Sequence, residues 1–218
     1  GGRLDCVPDP AAAVTGFVEF DSRKVTPGGL FLALPGARVD GHDFAEKAVE
    51  SGAVAVLAAR PVGVPAIVVE PTGKVEGDGA NADIYANDED GSAAAVIQAL
   101  SALARAVTQR LAAEDGLNIV GVTGSAGKTS TKDLIATIFR AAGETVAPPG
   151  SFNNEVGLPY TALRCDEHTE YLVAEMSARG IGHIRHLTGI TAPKVGVVLN
   201  VGTAHLGEFG SRENIALA

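Results

Sequence analysis

Residues 118–143 constrain this chain more than any other stretch. NIVGVTGSAGKTSTKDLIATIFRAAG passes from an apolar run, Asn118 to Thr123, through a glycine-bearing turn into a helical period. A strand, a tight loop and a helix in that order form a phosphate cradle. Gly124 and Gly127 let backbone amides approach an anion, Lys128 adds a mobile positive charge, and the new helix aims unpaired N–H groups at the same spot. Thr129 follows with a hydroxyl suited to magnesium. Leu134, Ile135, Ile138, Phe139 and Ala142 recur at helical spacing, predicting one buried face, and Gly143 stands where the helix should stop. The spacing departs from G-x-x-x-x-G-K-[ST]: Val122 is five before Gly127, and the nearest glycines are Gly121 and Gly124. The loop reads as a shortened variant that binds a triphosphate, against the plainer reading of a strand-to-helix turn with an exposed lysine.

A chain of 218 residues can bury one large core or two ordinary ones, and two domains are expected. No apolar run approaches a membrane span and no charged-then-apolar leader stands at the start, so a soluble cytoplasmic protein is expected. GGRLDC at the start reads as a strand lead-in or helix terminator, with an element expected upstream. Cys6 and Cys165 lie far apart without metal-type spacing and are expected to be reduced, structural thiols. The net charge of −9 is uneven: residues 1–100 carry 15 acids against 7 bases, residues 101–218 carry 11 against 10. Without a basic stripe or interleaved aromatics, nucleic-acid binding is excluded as a leading class. A small anion needs only a few local amides and cations.

The first segment reads as a small α/β domain. Gly16 to Phe20 alternates weakly, Leu30 to Leu34 is an evident buried strand closed by Pro35-Gly36, and Asp40 to Phe44 is a loop that caps a helix from Phe44 to Ser51. Two further runs, Ala53 to Ala59 and Ala66 to Glu70, have strand length. Ser22, Arg23 and His42 are its candidate ligand contacts, although by themselves they fit turn and capping positions better. From Thr72 to Gly91 the chain carries six acids against one lysine and reads as a solvated connection; Asp88 to Gly91 lacks the spacing of a calcium loop.

In the second segment, Ser92 is expected to cap a helix running to about Ala113. Glu144 to Ala147 is a short strand candidate, APPGSFNNEVGLP is a loop, and Pro159 suits the first turn of another helix. Tyr171 to Ala174 is an apolar strand ending at Glu175, and Val195 to Val201 ends just before His205. In an open parallel sheet, ligands sit beyond the carboxyl ends of strands, so Thr129, Glu175 and His205 can converge there as magnesium partners. His183 and His186 read as helix-surface residues, and no histidine pair has zinc spacing.

TGSAGKTSTK, SFNNEVGLP, EMSARGIGHIRH and LNVGTAHLGEFGS together resemble the central ATPase domain of the Mur ligases, which build the peptide of bacterial cell-wall precursors with ATP. DSRKVTPGGLFLALPGARVDGHDF is similar to their small N-terminal domain, which holds the UDP end of the substrate. The resemblance implies an α/β fold: a UDP-substrate domain over residues 1–86, then a central P-loop-type ATPase domain with a mainly parallel sheet over 87–218, incomplete and without the family's C-terminal domain. NNEVGLP and NVGTAHLGEFGS are most similar to the member that joins D-alanyl-D-alanine to UDP-N-acetylmuramoyl-tripeptide; a monomer is expected.

By the same resemblance, ATP phosphates lie on Thr123, Gly124, Ser125, Ala126, Gly127, Lys128, Thr129 and Ser130. Lys128 is the principal cation, and Thr129, Glu175 and His205 hold magnesium. Ser22, Arg23, His42, Asp43 and Phe44 face the UDP portion. Asn153, Asn154, Ser177 and Arg185 orient the muramoyl-peptide carboxylate, and His183 departs from the glutamine of a related subtype. The implied chemistry passes through an acyl phosphate that the incoming amine attacks. A carbamoylated lysine of the family would follow Ala218, so the 218-residue chain is expected to bind nucleotide weakly and not to turn over. The competing readings are another Mur-type or folyl-polyglutamate ligase, and a nucleotide-dependent switch module.

Overall fold

The computed structural model describes residues 2–36, 39–74, 85, 88–204 and 206–218. The chain divides into two compact units, the division falling between Ala99 and Leu100 inside a long helix.

The first unit holds strands β1 (Arg3–Asp5), β2 (Val18–Glu19), β3 (Leu30–Leu32), β4 (Ala55–Ala58) and β5 (Ala66–Val68), with helix α1 (Ala45–Glu50) after a single 3-10 turn at Gly41–Phe44. They form one sheet in the order β1-β5-β4-β3-β2. All pairs are parallel except β1 with β5. Parallel strands are covered on both faces, which is why LFL and AVLA are unbroken apolar runs. Phe31, Ala48, Val56 and Ala58 form the centre of this core. The strand expected to reach Leu34 stops at Leu32, because the Leu34 carbonyl turns aside to accept Gly41 N–H and Pro35 bridges Asp40. Asp40 caps the 3-10 turn through His42 N–H at 3.0 Å.

Helix α2 (Ser92–Glu114) follows. Ser92 is its first residue and not its cap. The Asp88 carboxylate folds back and accepts from Ala93 N–H and Ala94 N–H, both at 2.9 Å, while Asp90 accepts from Ser92 N–H at 3.0 Å. A carboxylate has two oxygens for two orphan amides where a hydroxyl has one. Asp88, read above as part of a solvated connection, is consequently buried. The rest of that connection, 75–84 with 86–87, lies outside the described residues.

The second unit is organised around β6 (Asn118–Thr123), α3 (Lys128–Arg140), β7 (Thr145–Val146), α4 (Gly157–Ala162), β8 (Tyr171–Glu175), α5 (His183–Thr191), β9 (Val195–Val198), α6 (Leu206–Phe209) and α7 (Arg212–Leu217). Its sheet runs β7-β8-β6-β9, every pair parallel. Leu111, Ile119, Leu158, Leu172, Met176 and Leu187 pack on one side. Val120, Val122, Val173 and Ala136 pack on the other, with Ile135 and Phe139 against them.

Two expectations change here. The buried face of α3 is Lys132 and Ala136, flanked by Ile135 and Phe139, whereas Leu134 and Ile138 are 66% and 67% exposed. The helix is rotated from the reading by apolar period, because Lys132 finds internal partners and an ammonium there excludes a broader apolar face. The strand expected over Val195 to Val201 ends at Val198, because Asn200 is spent on the loop after β6. Cys6 is exposed and therefore not a core thiol, whereas Cys165 is buried and burial pushes its pKa up to about 12, leaving it uncharged and inert.

Candidate functional site

Beyond the carboxyl ends of β6 and β8 lies a cavity of about 530 Å³. Its wall begins with the loop between β6 and α3. Gly124 has φ +140 and Gly127 φ +82, backbone positions that a side chain would strain, and the second is the N-cap of α3. The segment after β9 holds this loop in shape: Ser125 N–H donates to the Asn200 carbonyl, Ala126 N–H to Asn200 Oδ1, and Gly202 N–H to Ser125 Oγ. Lys128 Nζ lies back on the loop, donating to the Gly124 carbonyl at 2.8 Å. Residues 125–130 line the cavity, so the first turn of α3 opens onto it.

The opposite wall comes from the loop before α4 and the end of β8: Ser151, Asn153, Asn154, Glu155, Glu175, Ser177 and Arg179. Glu175 is 1% exposed. Its Oε1 accepts from Asn153 Nδ2 at 2.7 Å, and its Oε2 has no protein partner. A buried carboxylate oxygen is costly to leave unmet, and one facing a polar cavity is suited to a cation. Ser177 N–H donates to the Asn153 carbonyl, and Asn154 Oδ1 caps α4 through Val156 and Gly157 N–H.

The structure thus gathers Lys128, Thr129, Glu175, Asn153, Asn154 and Ser177 around one space. Thr123 and Gly124 line a smaller, more apolar hollow of about 190 Å³ on the other side of the loop. Arg185 stands exposed on α5 and does not line the large cavity; the arginine that does is Arg179. His183 accepts Arg179 N–H at its Nδ1 and so shapes the turn between them. His205 lies outside the described residues. Sequence reasoning passed over Asn200, Arg179, Glu155 and Lys132. Asn200 carried a signal, a polar residue at a strand end opposite the loop, but its partner is 74 positions away.

In the first unit, His42 is buried with both ring nitrogens taken: Nδ1 pairs with Asp40 Oδ1 at 2.6 Å and Nε2 accepts Ala59 N–H at 3.0 Å. Since Nε2 accepts, Nδ1 carries the hydrogen and donates to the Asp40 carboxylate. Burial works against the Asp40 charge, yet the hydrogen bonds from His42 and Arg60 outweigh it and hold the carboxyl below its ordinary value. Asp43 pairs with Arg60 at 3.3 Å. Arg23 forks onto Asp21 at 2.9 and 2.8 Å beside a buried Ser22.

Two models of one family match the chain: "Mur ligase family, catalytic domain" over residues 15–114 and "Mur ligase middle domain" over 122–218. The chain belongs to the Mur ligase family. Among Mur ligases, it is 62% identical to the UDP-N-acetylmuramoyl-tripeptide–D-alanyl-D-alanine ligase of Mycobacterium leprae, over 99% of this chain and 42% of that protein. It is 36% identical to the ligase of the same name from Escherichia coli, over 92% of this chain and 39% of that one. Solved Mur ligase structures agree. MurF from Acinetobacter baumannii superimposes with a TM-score of 0.75 at 30% identity, over 99% of this chain and 42% of that one. MurF ligase from Thermotoga maritima in complex with ADP gives 0.70 at 35%, over 93% and 42%. The chain therefore spans about two-fifths of the length of these Mur ligases.

Proposed function

We propose that this chain forms the substrate- and ATP-holding part of an ATP-dependent ligase that joins D-alanyl-D-alanine to UDP-N-acetylmuramoyl-tripeptide. The observation that carries the reading is the buried Glu175 carboxylate in the wall of the large cavity, one oxygen held by Asn153 and the other buried without a protein partner, across from the loop between β6 and α3. The names of the similar ligases support the choice of substrates.

Residues 87–218 hold ATP and residues 1–86 hold the UDP end. Lys128 leaves the Gly124 carbonyl for the phosphates, joining the N–H groups at the start of α3. The donor set fits magnesium: the Thr129 hydroxyl and the unpartnered Glu175 oxygen are hard ligands, with His205 as a further member. Magnesium, when bound, neutralises charge on the transferring phosphoryl group.

The peptide carboxylate oxygen attacks the γ-phosphorus as the bond to the β-phosphate oxygen breaks, giving an acyl phosphate and ADP. The amine then bonds to the acyl carbon, phosphate leaves with the former carboxylate oxygen, and the amine sheds its proton. Asn153, Asn154 and Ser177 serve the carboxylate end, Asn153 by orienting Glu175 and Asn154 by fixing the start of α4. Ser22, Arg23, Asp43 and Phe44 serve the UDP end, and His42 shapes their loop from within. Activated acyl groups hydrolyse in water, so the site must close during turnover.

Substrates of this kind are consistent with a place in the cytoplasm, and we take the protein to act as a monomer; no helix among the described residues is long and apolar enough to cross a membrane. The test is ADP formation by a protein of the relatives' length carrying this sequence, with each substrate omitted in turn. Strict dependence on both is expected. ATP consumption without the muramoyl peptide would indicate a switch, and preference for another amine a different ligase.

A further inference from the structure

Lys132 lies one turn beyond Lys128 on α3 and is 0% exposed. A phosphate loop has no need of a second lysine at that position, and an ammonium withdrawn from water persists only where its N–H groups are met. Here Nζ donates to the Pro148 carbonyl at 2.7 Å and the Gly150 carbonyl at 3.2 Å, and lies 2.6 Å from Asp133 Oδ1. Asp133 is exposed, so the two carbonyls are the internal partners.

Those carbonyls belong to the turn between β7 and α4, where two prolines remove backbone donors and no ladder is available to tie the chain down. The residues that follow line the large cavity: Ser151 and Asn153, the latter bonded to Glu175. Their far side is anchored by the Phe152 ring on Tyr160, centroids 5.6 Å apart, and by Ser177 N–H on the Asn153 carbonyl. Lys132 supplies the near anchor.

We propose that Lys132 is a positioning residue of the phosphate site: by gripping the Pro148 and Gly150 carbonyls it ties residues 151–153 to the phosphate-loop helix and so sets Asn153 against Glu175. The idea rests on the ligase reading for its purpose. Its measurement does not need turnover, because the readout is the Mg²⁺ concentration that half-promotes ADP binding, followed by calorimetry on a protein of the relatives' length. A failed ligase assay would therefore leave this readout intact.

Lys132→Met is expected to raise the Mg²⁺ requirement about 10- to 100-fold, the usual loss when a group supporting a metal ligand is removed. Asn153→Ala should do the same, and the double variant should be no worse than either single one, since both act on one contact. Asp133→Asn should stay within about twofold of wild type, because the carbonyls remain. Lys132→Gln, which keeps a shorter donor, is read in place of Lys132→Met if the latter does not fold. An unchanged Mg²⁺ requirement, full additivity with Asn153→Ala, or unfolding of both Lys132 variants would overturn the assignment.

Discussion

Glu175 has one oxygen fixed by a 2.7 Å hydrogen bond and the other buried without a partner, an arrangement that destabilises the free protein and favours whatever cation fills it. Glu175→Gln keeps the shape and removes the charge. It is expected to abolish the Mg²⁺ dependence of nucleotide binding while leaving the free protein's melting temperature unchanged or raised, as calorimetry would show. A second prediction concerns acid. Arg23 donates through its side chain and its backbone to Asp21 and lowers that carboxyl to about 2. A depressed carboxylate pKa means the pair is complete above the unfolded value of 3.8 and is lost as pH falls through about 2. Carboxyl chemical shifts should show this, and Arg23→Ala should move the Asp21 midpoint up toward 3.8. Lys128 and Thr129 were legible in the sequence because their chemistry is local to one loop, and Glu175 because it ends an apolar strand. The Asn153–Glu175 bond was not, since nothing in the sequence pairs residues 22 positions apart.

Among the elements, α2 shows where pattern reading is sound and where it stops. Its apolar spacing placed the helix to within a residue, but the cap was misassigned, because a side chain can reach back from outside the first turn. Asp88→Ala leaves two first-turn amides unmet and should cost about 1–2 kcal/mol of the first unit's stability, measured by urea unfolding. Ser92→Ala, by contrast, should lie within about 0.5 kcal/mol of wild type in the same experiment. In α3 the helix was legible and its orientation was not. Leu134 and Ile138 match the apolar period as well as Ile135 and Phe139 do, and the decision between them is made by Lys132, whose burial no hydropathy scale anticipates.

At the level of the whole molecule, each unit carries its own core, centred on Phe31 in one and on Leu172 in the other. Leu172 is fully buried on the central part of the second sheet, and Leu172→Ala should cost about 2–5 kcal/mol. Hydrogen exchange should show the loss in the amides of β6 and β8. The parallel sheets were foreseeable from unbroken apolar runs, but strand order was not, because it is written in contacts remote along the chain.

That order has a consequence for synthesis on the ribosome. Both β6 and β7 pair with β8, and β9 pairs with β6, so among the described residues neither earlier strand has a neighbour until Tyr171–Glu175 has emerged. Roughly fifty residues of nascent chain, including the loop between β6 and α3, must wait outside the exit tunnel with an apolar edge exposed, the window in which a chaperone would be of most use.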